Sequence, residues 1–190
     1  MKYVQPFLNY FLLCLLFVRL IACSSPAAVT KQPEGSTLSD FVVWTPDLRS
    51  DELKNSYQFL LKTPKNSVTG ICVLKKMDAE WRGTLINEMG VKVFDFIVTD
   101  KKCELLNVIS MMDKWYIKKT VAADLYFLFN ADNPNVPFQK RTKRFERQGI
   151  NVVSYAKKQI LVQPDDAVLL VNGAHRLLYE LRKIHEIEQL

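Results

Sequence analysis

Two hydrophobic periodicities divide the chain. Thr45-Pro46 has the form of a helix N-cap followed by proline at the first helical position. Leu53, Tyr57, Leu60 and Leu61 then fall at i, i+4, i+7 and i+8, so the spacing predicts an amphipathic helix ending near Thr63-Pro64. From Ser67 the period drops to two. Val68 to Lys76, Trp81 to Asn87, Val91 to Thr99 and Cys103 to Ile109 are short β-rich runs. They are split by Met77-Asp78-Ala79, Glu88-Met89-Gly90 and Asp100-Lys101-Lys102, which predicts an antiparallel meander. Phe94, Phe96 and Val98 share one face of their strand, and Val91, Val93, Asp95 and Ile97 the other. Both faces are partly apolar, as in a sheet covered on one side and curved around something on the other.

A second helix is predicted from Lys114 to about Phe129, capped by Asp113, with Ile117, Val121, Leu125, Leu128 and Phe129 as its apolar stripe. Asn130 to Pro137 (NADNPNVP) reads as a loop. Strands return at Phe138 to Arg147, Asn151 to Ala156 and Gln159 to Gln163, followed by a final hairpin. Asn172-Gly173 is the turn signal of that hairpin, with both residues expected at positive φ. Ala174 to Glu188 also has helical spacing through Leu177, Leu178, Leu181 and Ile184; strand is favoured.

The first 22 residues follow a different logic. Met1-Lys2-Tyr3 gives a short positive region, Phe7 to Val18 is almost wholly apolar, and the run closes on Leu20-Ile21-Ala22-Cys23. That order is the order of a secretory signal. A membrane span needs ~20 apolar residues, and Phe7 to Ala22 offers 16, interrupted by Asn9 and Arg19. Leu-Ile-Ala-Cys resembles the lipobox of bacterial lipoproteins. The resemblance implies cleavage before Cys23 and lipid on that cysteine, an anchor that several acyl chains make effectively permanent. Ser24 to Thr37 is rich in small and polar residues, with Pro26, Pro33 and Gly35, and reads as a tether. Its 14 residues reach at most ~50 Å. A single domain is expected over residues 38–190.

Composition narrows the chemistry. The formal charge of +6 falls to +4 without Lys2 and Arg19, too little to argue for nucleic acid. His175 and His185 are too far apart in sequence to hold one metal on either a strand or a helix. No serine sits in a G-x-S-x-G elbow and no phosphate-binding glycine loop occurs. Neighbouring carboxylates such as Asp165-Asp166 and Asp51-Glu52 read as caps or opposed strand residues. A non-enzymatic protein without a cofactor is therefore expected, its only added group being the covalent lipid on Cys23. The basic run Gln139 to Arg147 reads first as a solvated strand that guards a sheet edge, and second as a contact for an acidic partner or anionic headgroups. With Cys23 lipidated, Cys72 and Cys103 are the pair left for a disulfide, or else two buried small hydrophobes; both readings stay open.

The stretch Trp81-Arg82-Gly83-Thr84-Leu85-Ile86-Asn87-Glu88-Met89-Gly90-Val91-Lys92-Val93-Phe94-Asp95-Phe96 resembles the strand–loop–strand segment of LolB-type outer-membrane lipoprotein receptors. In that family an Asn-Pro-Leu-Gly loop joins two apolar strands; here it reads Asn87-Glu88-Met89-Gly90, with Glu88 in place of proline. The order lipobox, polar tether, helix and a strand opened by Gly70 is also similar. The resemblance implies an α+β fold, a curved antiparallel half-barrel sheet with two or so helices covering its concave side. It implies a protein that takes lipoprotein acyl chains from a periplasmic carrier and places them in the outer membrane, facing the periplasm. The membrane-touching side chain falls on Met89, with Asn87 and Gly90 shaping the turn. Trp81, Phe94, Phe96, Trp115 and Leu125 are the candidates for lining an acyl-chain cavity. The competing reading is a structural or assembly lipoprotein with a filled core that binds a protein partner through the same sheet.

Overall fold

The structure, a computed structural model, describes Leu48, residues 54–78 and residues 80–184. The predicted signal and tether, Cys23 and most of the start of the predicted first helix lie outside the described residues. Among the described residues, ten strands form one open, curved antiparallel sheet. The first half of the chain supplies β1 (Lys54–Lys62), β2 (Ser67–Met77), β3 (Glu80–Asn87), β4 (Lys92–Val98) and β5 (Cys103–Leu106). One helix follows, α1 (Trp115–Phe129), then β6 (Lys143–Arg147), β7 (Ile150–Tyr155), β8 (Lys158–Val162), β9 (Val168–Asn172) and β10 (Leu177–Lys183).

The spatial order is β5-β4-β3-β2-β1-β10-β9-β8-β7-β6. Two meanders therefore run outward from a central seam where β1 pairs with β10. The chain leaves one edge at β5 and re-enters at the opposite edge, β6. The connection has to cross a whole face of the sheet, and α1 makes that crossing. A helix of 15 residues is only ~22 Å long, whereas ten flat strands would span ~43 Å at ~4.8 Å each. Curvature resolves the mismatch. α1 packs on β4 and β5 at one end of the sheet order and on β9 in the other half. Its Phe127 also meets Tyr155 of β7, ring centroids 5.8 Å apart.

The first predicted helix is not formed over its described part: residues 54–62 are β1, the sheet's central strand. Tyr57 and Leu61 are four residues apart, a spacing that fits either period. Phe59 between them decides the matter, since Tyr57, Phe59 and Leu61 alternate as buried residues on one face. Tyr57 also donates its hydroxyl proton to the Leu48 carbonyl at 2.8 Å. Instead of the two or so helices expected, α1 alone covers the face among the described residues, apart from a 3-10 turn at Gln139–Arg141.

The four strands predicted after Ser67 form as β2 to β5, with β5 stopping at Leu106, one residue before Asn107 at φ 49°. Phe94, Phe96 and Val98 face inward and are buried, and Asp95 and Ile97 on the other face are half-exposed; Val93, expected with those two, is buried instead, where the β3–β4 register shifts between Leu85 and Ile86. Asp113 does not cap α1. The N-cap position is Lys114, without a side-chain cap, and Asp113 pairs with Lys118 at 2.6 Å. The strand predicted from Phe138 starts only at Lys143, because the 3-10 turn takes the residues before it. The final hairpin forms, but not through a two-residue turn. Asn172 stays in the ladder opposite Leu177, Gly173 to Arg176 make the connection, and Arg176 holds the positive φ of 54°.

Candidate functional site

The β3–β4 loop is built by Asn87. Its side-chain oxygen accepts the N–H groups of Met89 at 3.1 Å and Val91 at 2.8 Å, while its carbonyl accepts that of Gly90 at 2.9 Å. Asparagine is suited to this because its short amide reaches backbone donors two to four residues on. Gly90 takes φ +77°, where a side chain would be strained. The result is a tight tip that presents Met89 at 84% exposure, beside exposed Glu88 and Val91. Sequence reasoning placed all four loop residues together, and the structure keeps them so.

The cavity candidates divide. Trp81, Phe94, Phe96 and Leu125 lie in one continuous core between the sheet and α1. Phe96 stacks on Phe129 of α1 at 5.5 Å and 20° between planes, and meets Phe94 edge-on at 6.0 Å. These four pack against protein side chains. Trp115 does not join them: it is 73% exposed and pairs edge-on with Tyr116 at 6.1 Å. The reason is angular. In the first turn of α1, Trp115 sits about 160° around the helix axis from Ile117, the stripe residue of that turn.

One polar cluster interrupts the apolar seam, and sequence reasoning missed it. Asp124 of α1 is fully buried. Its carboxylate accepts from the Asn172 amide at 2.9 and 3.0 Å and from the Tyr179 hydroxyl at 2.9 Å, and it pairs with the Lys158 ammonium at 2.7 Å. Lys158 donates as well to the Ala123 carbonyl at 2.9 Å. Burial, and then the Asp124 charge, hold the Tyr179 hydroxyl well above its ordinary titration range. With both carboxylate oxygens satisfied and only Lys158 reaching partly to solvent, at 20% exposure, this is a latch between α1 and β8, β9 and β10. An acidic residue three positions after Val121, on the apolar side of a helix, was its one signal in the sequence.

Cys72 and Cys103 are free thiols. They stand on β2 and β5, three strand spacings apart or ~14 Å, far beyond the ~4–7 Å between Cα atoms that a disulfide bridges. The disulfide reading is therefore corrected to two separate thiols, Cys72 buried and Cys103 half-buried. Burial pushes the Cys72 thiol up to about 12. Burial, then the charge of Glu104, does the same for Cys103, again to about 12.

The opposite face of the sheet carries a half-open trough of about 720 Å³ across β10, β1, β2 and β3. Leu60, Ile71 and Ile86 form its apolar floor, with Gln58, Glu180 and Arg182 around them. Gly70 lets β2 and β3 close up beside it, since a Cβ there would overlap the Ile86 carbonyl. The basic run ends in β6, an edge strand of the sheet. Its Arg144 turns inward to the Ala131 carbonyl at 2.8 Å and the Gln139 side chain at 2.6 Å. Among the described residues no three His, Cys, Asp or Glu side chains gather in metal-binding geometry, and no helix is long and apolar enough to cross a membrane.

Neither a scan of protein-family models nor a search of curated proteins finds a match to this chain.

Proposed function

We propose that this protein is a lipid-anchored envelope lipoprotein receptor of the LolB type: it accepts the acyl chains of other lipoproteins from a periplasmic carrier and passes them to the outer membrane. The observation that carries this reading is the combination of an apolar seam closed by one helix with a projecting Met89. Apart from the Asp124 latch, α1 meets the sheet through hydrocarbon and aromatic rings, such as Phe129 against Phe96 and Phe127 against Tyr155, with Phe138 of the following connection packed on Phe127. Acyl chains enter by parting α1 from the sheet, exchanging one set of apolar contacts for another, so no nucleotide is consumed. Met89 touches the bilayer and lets the released chains enter it; methionine supplies an apolar, adaptable tip.

The packing of Phe94, Phe96 and Leu125 favours one other reading, a filled domain that binds a protein partner through the outer trough. Native mass spectrometry of the full-length protein with a triacylated lipopeptide separates the two. One lipopeptide retained per chain supports the receptor. A chain that retains none, at concentrations where known carriers saturate, supports the partner-binding protein.

A further inference from the structure

Trp115 is the large aromatic residue that the fold leaves most exposed among the described residues, and it is not alone. Met111 is 65% exposed and Tyr116 50%. Met111 sits in the turn that leads from β5 into α1, and Trp115 and Tyr116 are the first two residues of that helix. That segment is held rigidly. Ile109 donates its N–H to the Val93 carbonyl at 2.9 Å, Met112 and Asp113 close turns back onto Ile109 and Ser110, and Met112 is buried as its anchor. Because Val93 is two residues from Val91, and Met111 two residues from Ile109, this segment stands at the same end of the sheet as the Asn87–Val91 tip. Met89, Val91, Met111, Trp115 and Tyr116 therefore gather at one end of the domain, on two neighbouring projections.

We propose that the 111–116 segment, the turn before α1 together with the helix's first two residues, is a second membrane-contacting projection, which enters the headgroup region beside Met89. The side-chain chemistry selects a lipid surface. Trp and Tyr pair an apolar ring with a polar N–H or O–H and concentrate at the boundary between headgroups and hydrocarbon. Methionine tips adapt to a fluid medium. Lys114 and Lys119 are exposed on the same segment and the first turns of α1, placed to meet lipid phosphates while their stems lie along the hydrocarbon. Separate protruding tips suit a bilayer, which yields around them, whereas a folded partner would need two matching pockets. The chain between Cys23 and Leu48 is long enough, at ~90 Å for 25 extended residues, for an anchored domain to bring this end down to the membrane. The inference rests on the reading above only for the neighbouring role of Met89; acyl-chain uptake is not needed for it.

The test is Trp115 fluorescence in the full-length protein, reconstituted into vesicles of phosphatidylethanolamine and phosphatidylglycerol. Subtracting the spectrum of Trp115→Phe isolates this residue from Trp44 and Trp81. A blue-shifted Trp115 signal that is quenched severalfold by lipids brominated on their acyl chains is the expected result, with the quenching lost in Met111→Asp/Tyr116→Asp. A signal that stays red-shifted and open to aqueous iodide overturns the proposal. So does one shielded from iodide yet blind to brominated lipid, which would mean cover by protein. Lipopeptide binding measured on the same samples keeps the two proposals apart, because either result can fail without the other.

Discussion

A Cβ atom added at Gly83 would overlap the ring of Phe96, its cross-strand partner on β4. The missing side chain on β3 is what lets that ring lie against the sheet and still stack on Phe129 of α1. Gly83 thus sets the depth at which α1 rests in the curved sheet. Gly83→Ala forces Phe96 into α1 and lowers stability by about 1–3 kcal/mol, the usual range for overpacking. In a Phe96→Leu background the same substitution costs clearly less. A double-mutant cycle from denaturant unfolding checks this; additive costs would break the link.

Removing the latch has a larger effect. Asp124→Ala leaves the Lys158 ammonium and the Asn172 and Tyr179 donors without their shared acceptor. The expected loss is about 3–5 kcal/mol, as for other broken buried pairs. Hydrogen exchange should then rise first in the α1 amides, with β1 and β2 least affected. Uniform acceleration across the sheet would mean that Asp124 supports the whole fold rather than the seat of the helix.

The buried thiols predict a pH dependence. An unfolded cysteine ionises near 9, whereas Cys72 in the fold ionises only at about 12. Above 9 the unfolded chain releases a proton that the native state keeps, so stability is full below 9 and falls as pH rises toward 12. The slope from one such group approaches about 1.4 kcal/mol per pH unit. Cys72→Ala should lessen the fall in stability between pH 9 and 10, before tyrosines titrate, and leave the part due to Cys103. At pH 8 the native protein should react negligibly with a thiol reagent at Cys72 and Cys103, and both should react on unfolding.

The loop prediction is functional. Met89→Glu, at a tip that touches no core residue, should change stability by less than about 0.5 kcal/mol and impair transfer of lipoprotein to vesicles. Asn87→Ala removes the acceptor of two backbone N–H groups. It should lower stability by about 1 kcal/mol and weaken transfer while Met89 is still present. Wild-type transfer by Met89→Glu would remove Met89 from the mechanism.

Much of the fold could be read from the chain because β2 to β5 are short β-rich runs and their breaks carry turn residues. β1 was misread for a definite reason: Tyr57 and Leu61 satisfy both periods, and the strand's place at the seam with β10 is a long-range property. The edge-to-edge crossing by α1 is invisible to local pattern as well. Asn172-Gly173 marked the right hairpin and the wrong turn, since the Asn172 amide is drawn to Asp124 and the residue stays in the ladder. In the candidate site, Asn87 and Gly90 were legible because loop geometry is local. Asp124 and the exposure of Trp115 were not, since each depends on which side of α1 meets the sheet.

The most direct measurement is the distance between spin labels at Lys119 on α1 and Arg82 on the outer face of β3, both exposed, recorded with and without a triacylated lipopeptide. Entry of hydrocarbon between helix and sheet predicts a shift to a longer, saturable distance. Lipopeptide binding with an unchanged distance would contradict that mechanism.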